Sequence, residues 1–130
     1  MCCHSQSPET QTALSYSKSI RLAAFLVDHK GCSINLKLGH PICGYMVSTV
    51  AGPVYEADSA VDLRALAAWC RENSDDNSYF GSWVDEKTGK LYIDVSDQFY
   101  SYDAAMQYAR DNNQIAIWDV NNNCEIRTNG

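Results

Sequence analysis

A chain of 130 residues with 45% hydrophobic and 20% charged residues has the length of one ordinary domain and the composition of a globular one, which sets aside the disordered and fibrous classes. Its net charge of −6 is concentrated between Glu72 and Asp103, where eight acids meet only Lys87 and Lys90. Nucleic-acid affinity comes largely from Lys and Arg displacing counterions at phosphates, so this balance argues against DNA or RNA as a partner. The longest apolar run, Leu22 to Val27, is far too short to span a bilayer, so no membrane partner is predicted.

Residues 1–15 are polar, contain Pro8 and show no period, and read as a tail that does not carry the fold. Met1 to Pro8 lacks the basic flank and apolar stretch of a secretory signal, which predicts a cytosolic protein. The six cysteines, Cys2, Cys3, Cys32, Cys43, Cys70 and Cys124, are then expected as thiols rather than as a disulfide framework.

From Tyr16, apolar residues recur at Ile20, Ala23, Ala24 and Val27 with helical spacing, and Lys30-Gly31 ends the helix. Cys32, Ile34, Leu36 and Leu38 alternate with polar residues, the two-residue period of a half-buried strand. Gly44 to Val50 predicts a second strand, Ala51-Gly52-Pro53 a turn, and Val54 to Glu56 a short third strand of a meander. Ser59 reads as the N-cap of a helix whose face is Leu63, Leu66, Ala67 and Cys70.

In the second half, Tyr79 to Val84 and Leu91 to Val95 flank Asp85 to Lys90, a hairpin loop closed by Gly89. Leu91, Ile93 and Val95 should point to one face of the return strand, and Tyr92 and Asp94 to the other. Ser101 caps a helix that turns Ala105, Met106 and Ala109 inward and ends at Asn112-Asn113. Strands from Gln114 to Asp119 and Cys124 to Thr128 complete the chain. The expected fold is α+β: small antiparallel sheets, a meander and a hairpin, packed with two or three helices in a single compact domain over residues 16–130. It reads as a helix-strands-helix half at 16–71 and a hairpin-helix-strand half at 78–128.

No G-x-S-x-G, phosphate-binding loop, dinucleotide glycine pattern or H-E-x-x-H occurs, so no reaction, catalytic residue or cofactor is predicted. Asp94 and Asp97 are a formal carboxylate pair, but acids in a turn-rich segment are solvated far more often than poised. His29, Cys32, His40 and Cys43 form H-x2-C-x7-H-x2-C, the nearest approach to a metal signature. Zinc knuckles usually lie a dozen or more residues apart, and the strand alternation already explains Cys32 as core-facing, so no metal is predicted.

What remains is a ring-rich second half: Tyr79, Phe80, Trp83, Tyr92, Phe99, Tyr100, Tyr102, Tyr108 and Trp118, with Arg110, Asp111, Asn112 and Asn113 beside them. There are too few aliphatic residues here to bury every ring. Some rings then line a groove or a subunit contact, where they add area at low entropy cost, and the others are core.

The pattern F-G-S-W-x-D-x-x-T-G-K-x-Y-x-D from Phe80, a short helix, and N-Q-x-A-I-x-D from Asn113 resembles small accessory proteins of bacteriophages and other mobile elements. The resemblance covers Tyr79 to Arg127 and is most similar, among counter-defence proteins of this size, to the anti-Thoeris sponges. It implies a non-enzymatic homo-oligomer in the cytoplasm of a bacterial host, sequestering a cyclic ADP-ribose isomer. It also implies that Phe80, Arg110 and Asp111 contact an adenine-ribose-diphosphate ligand; Trp83, Tyr92, Tyr102 and Asn113 complete the expected binding set. A ligand with two phosphates needs about two cations to offset its desolvation, which would call for Arg64 or Lys90 beside Arg110 across a subunit boundary. The competing expectation is an acidic inhibitor whose segment Glu72 to Asp103 meets a basic surface on a host defence protein such as a CRISPR nuclease.

Overall fold

In a computed structural model that describes residues 14–128, the chain forms three helices and one six-stranded antiparallel sheet. The elements in chain order are α1 (Tyr16–Asp28), β1 (Cys32–Ile34), β2 (Tyr45–Tyr55), α2 (Leu63–Glu72), β3 (Tyr79–Val84), β4 (Leu91–Phe99), α3 (Tyr102–Asp111), β5 (Ala116–Asp119) and β6 (Cys124–Arg127). The tail expected at 1–15 lies outside the described residues except for Leu14 and Ser15. Ser15 caps α1 by accepting from the Lys18 amide.

The α+β class holds, with one sheet in place of the separate meander and hairpin. Its strand order is β1-β3-β4-β2-β5-β6, so the β3–β4 hairpin inserts between β1 and β2. Asp85 to Lys90 close that hairpin as expected, with Gly89 at φ 76° and its amide bonded to the Asp85 carbonyl at 2.7 Å. The two sequence halves therefore share one sheet, a consequence of the long β2–β4 pairing from Tyr45↔Phe99 to Tyr55↔Leu91.

The expected turn at Ala51-Gly52-Pro53 does not form; β2 runs straight through it to Tyr55. The backbone is accommodated by two register shifts against β4, between Ser48 and Val50 and between Ala51 and Val54. Pro53 needs no ladder donor at such a bulge, and bulges bend and twist the strand that carries them. β1 is shorter than its alternation suggests. The buried Asn35 side chain accepts from the Lys37 and Leu38 amides at 2.8 and 2.9 Å and donates to the Asp76 and Ser78 carbonyls, ending the strand and leaving Leu36 and Leu38 exposed. Asp62, not Ser59, caps α2: its carboxylate accepts from the Arg64 and Ala65 amides, while the Ser59 hydroxyl is committed to the Glu56 carbonyl.

The three described helices all cover one face of the sheet. Leu22, Ala23 and Leu26 of α1 and Leu66, Ala67 and Cys70 of α2 pack on Phe80, Leu91, Ile93 and Val95. Ala105, Met106 and Ala109 of α3 pack on Val47 and Ile117. The inward residues of β4 and α3 are those their periodicity predicts. Ser19 is fully buried between α1 and α2, where its hydroxyl donates to the Tyr16 carbonyl and accepts from Arg71 at 2.8 Å. Among the described residues, no helix lies on the opposite face of the sheet.

Candidate functional site

Because side chains alternate along a strand, Leu91, Ile93 and Val95 facing the helices force Tyr92, Asp94 and Ser96 onto the uncovered face. Register carries Trp83 beside Tyr92, Gly81 beside Asp94, Ser48 beside Ser96 and Trp118 beside Met46 on that same face. The curl of the sheet makes this face an open groove of about 1200 Å³, reaching from Lys30 and His40 at one side to Trp118 and Glu125 at the other. Trp83 and Tyr92 stack with ring centroids 4.4 Å apart and planes 9° from parallel. Trp83 and Trp118 remain 47% and 42% exposed, so each presents a free ring face.

Asp94 is the floor of this groove. It pairs with Ala51 between the two bulges of β2, and its carboxylate lies over Gly81, where a Cβ would collide with the Asp94 Oδ1 oxygen. Burial pushes the carboxyl up from 3.8 to about 6, against the opposing effect of hydrogen bonds from the Ser48 and Ser96 hydroxyls. Both partners are neutral. Two serine donors leave part of the carboxylate's lone-pair capacity for a further donor. A perturbed acid beside exposed rings in a groove is the usual physical signature of a binding or catalytic surface.

The sequence-expected site residues separate into two groups. Trp83 and Tyr92 lie in the groove. Phe80 is 3% exposed in the core under the helices, edge-on to Trp69. Tyr102 opens α3 with its ring edge-on to Tyr45 at 5.8 Å. Arg110, at the end of α3, donates from Nε to the Thr128 carbonyl at 2.9 Å, and Asp111 accepts from Gln107. Asn113 has φ 59° and its amide bonds the Arg110 carbonyl, which makes it part of the helix stop. Tyr102, Arg110 and Asp111 are thus on the helix that packs behind the sheet, away from the groove.

Arg110 tethers the C-terminal segment: Thr128 is buried, and its hydroxyl donates to the Gln114 carbonyl at 2.8 Å. Arg110→Ala is expected to cost about 1 kcal/mol of stability through that lost hydrogen bond and to leave groove binding within about twofold of wild type. Chemical denaturation beside a ligand titration checks both.

Asp94 and Asp97 do not form a carboxylate pair, since three residues along a strand put them on opposite faces; Asp97 instead accepts from Ser78 at 2.9 Å. The acids of the 72–103 segment are also spread out: Asp76 pairs with Lys37 before β3, Asp85 lies beyond its far end, and Glu86 and Asp94 line the groove. Among the described residues no group of three or more His, Cys, Asp or Glu side chains is placed to hold a metal ion. His29 stacks on Phe25 at 4.1 Å, His40 donates from Nδ1 to the Ser33 carbonyl, and the Cys32 thiol lies against the Ser82 hydroxyl. The four described cysteines are unpaired, and burial pushes the Cys70 thiol up to about 12, so it is inert at neutral pH. No described helix is long and apolar enough to cross a membrane.

Ser48 and Ser96 lie outside the Phe80 to Asp94 motif, and Gly81 and Asp94 lie within it without being among the expected site residues, although Asp94 falls on the strand face expected for it. The alternation Tyr92, Asp94, Ser96 on the face opposite the apolar residues of β4 is the signal that contains Asp94 and Ser96, whereas Ser48 and Gly81 join them only through strand pairing. No protein-family model matches the chain, and searches of curated proteins and of solved structures find no match.

Proposed function

We propose that this protein is a non-enzymatic binding protein that captures a nucleotide-derived small molecule by its ring in the open groove and removes it from solution. The observation that carries this reading is the stacked Trp83–Tyr92 pair, with one ring face exposed, beside the Asp94 floor. A planar ring laid on Trp83 gains stacking and buried area, and Asp94 supplies a directional acceptor at its edge. The likeness of the Phe80 to Asp94 motif to counter-defence proteins supports an immune signal of the cyclic ADP-ribose type as the molecule withdrawn. Its phosphates would leave through the open mouth of the groove, where Lys30 lies.

The test is mass spectrometry of small molecules released by heating the purified protein after incubation in a lysate containing such nucleotides. Wild type is expected to release a nucleotide-derived species in stoichiometric amount, and Trp83→Ala about tenfold less or lower still, as for a central aromatic anchor. Folded wild type that releases nothing contradicts the reading.

A further inference from the structure

The groove's charge and its rings together specify more than a flat ligand. Its charged lining is Lys30 against Glu86, Asp94 and Glu125, and Glu125 is partly engaged by Arg127 at 3.7 Å. The groups that face Asp94 are Ser48 from β2, Gly81 from β3, and Tyr92 and Ser96 from its own strand, with Ser33 of β1 paired beyond Gly81; none of them is basic. An ionised carboxylate kept from water without a counter-charge favours any cation that reaches it. The neighbouring Trp83 and Tyr92 faces attract the same kind of charge, because an aromatic ring is negative over its face. A purely anionic ligand meets the opposite of what it needs.

Resting on the groove reading above, we infer that the groove selects a planar heteroaromatic cation, an N-substituted pyridinium or an N-alkylated purine, with its ring on Trp83 and its positive charge over the Asp94 carboxylate. Stacking supplies affinity for any flat ring. Asp94 supplies the discrimination between a charged ring and its neutral counterpart. Such a cation can be part of a nucleotide whose phosphates remain outside the groove, so cation selection and a nucleotide ligand are compatible.

The experiment is calorimetric titration of the protein at pH 7.5 with 1-methylnicotinamide, a cation, and with nicotinamide, which has the same ring and no charge. Each is titrated into wild type, Asp94→Asn and Trp83→Ala. The expected result is binding of the cation about tenfold or more tighter than the neutral ring by wild type. Asp94→Asn should reduce the cation to the affinity of the neutral ring, and Trp83→Ala should weaken both. Equal affinity for the two rings in wild type, or a cation preference that survives in Asp94→Asn, overturns cation selection while leaving the groove as a ring-binding site. Binding of neither ring by folded wild type overturns cation selection and the groove reading together. A stable ligand-free dimer with Trp83 shielded from solvent makes a second copy the occupant and likewise overturns the inference.

Discussion

Asp94→Asn is expected to make the protein more stable and less able to bind. The carboxyl titrates at about 6 in the folded chain against 3.8 for the free group, so the native state holds this proton more tightly than the unfolded state does. The stability belonging to this group is then fully present below the unfolded value and lost as pH rises through about 6. At pH 7.5 the ionised, largely buried carboxylate costs the native state about 2 to 3 kcal/mol, following from roughly 1.4 kcal/mol per pH unit of displacement. Asparagine has nearly the same shape and can exchange hydrogen bonds with Ser48 and Ser96, but carries no charge to desolvate.

Thermal melts at pH 7.5 should therefore place Asp94→Asn about 8 °C above wild type, and the gap should close toward pH 4. The comparison between the two chains at each pH isolates this group from the other carboxylates. Affinity for a cationic ring should fall in wild type as pH drops through about 6, because the counter-charge is neutralised. A variant less stable than wild type at pH 7.5 would make Asp94 a structural anchor. An acid retained at a stability cost on the floor of an open groove is what a binding role predicts.

Gly52→Ala is expected to be among the most damaging single changes on β2. A Cβ at Gly52 would sit 2.6 Å from the Ile93 carbonyl oxygen and 2.7 Å from the Trp69 ring. The first neighbour is ladder backbone. The second is an indole wedged edge-on against Phe80 at 6.0 Å, over the apolar residues of β4. The ladder carbonyl cannot yield without the strand, so the bulge between Ala51 and Val54 would have to move, and with it the strand that frames Asp94. The expected loss is about 3 kcal/mol, or roughly 10 °C in melting temperature, with weaker groove binding in the molecules that remain folded. Stability within about 0.5 kcal/mol of wild type would show that the bulge does not hold the groove in shape.

The elements legible from sequence were those governed by local chemistry. Ser15 and Ser101 cap their helices, Gly89 closes the β3–β4 hairpin, and the alternation of Leu91, Ile93 and Val95 faces the core. Asn35 was opaque because a single side chain, bonded to backbone from Asp76 and Ser78 as well as to its own turn, overrides a strand pattern. Gly52-Pro53 reads as a turn by residue type, yet pairing with β4 across about forty residues holds it extended. Local preference could not anticipate that partner.

Part of the candidate groove was legible in the sequence. Trp83 and Tyr92 share the groove because both sit at the right parity in adjacent strands, a fact contained in the hairpin itself. Phe80, one residue before Gly81, falls on the other face for the same reason. Arg110 and Asp111 were grouped with the rings by nearness in sequence and chemical type, whereas α3 packs them behind the sheet. The Asp94 floor depends on Ser48 and Gly81, which only the assembled sheet brings beneath it.

The proposed binding surface is the open face of the sheet, not the end of α3. Its most direct test is an amide chemical-shift map of the isotope-labelled protein as 1-methylnicotinamide is added. Shifts are expected at Ser48, Gly81, Trp83, Asp94 and Trp118, including both groove indole N–H signals, with α3 unchanged. Shifts confined to Arg110 to Asn113 would contradict it.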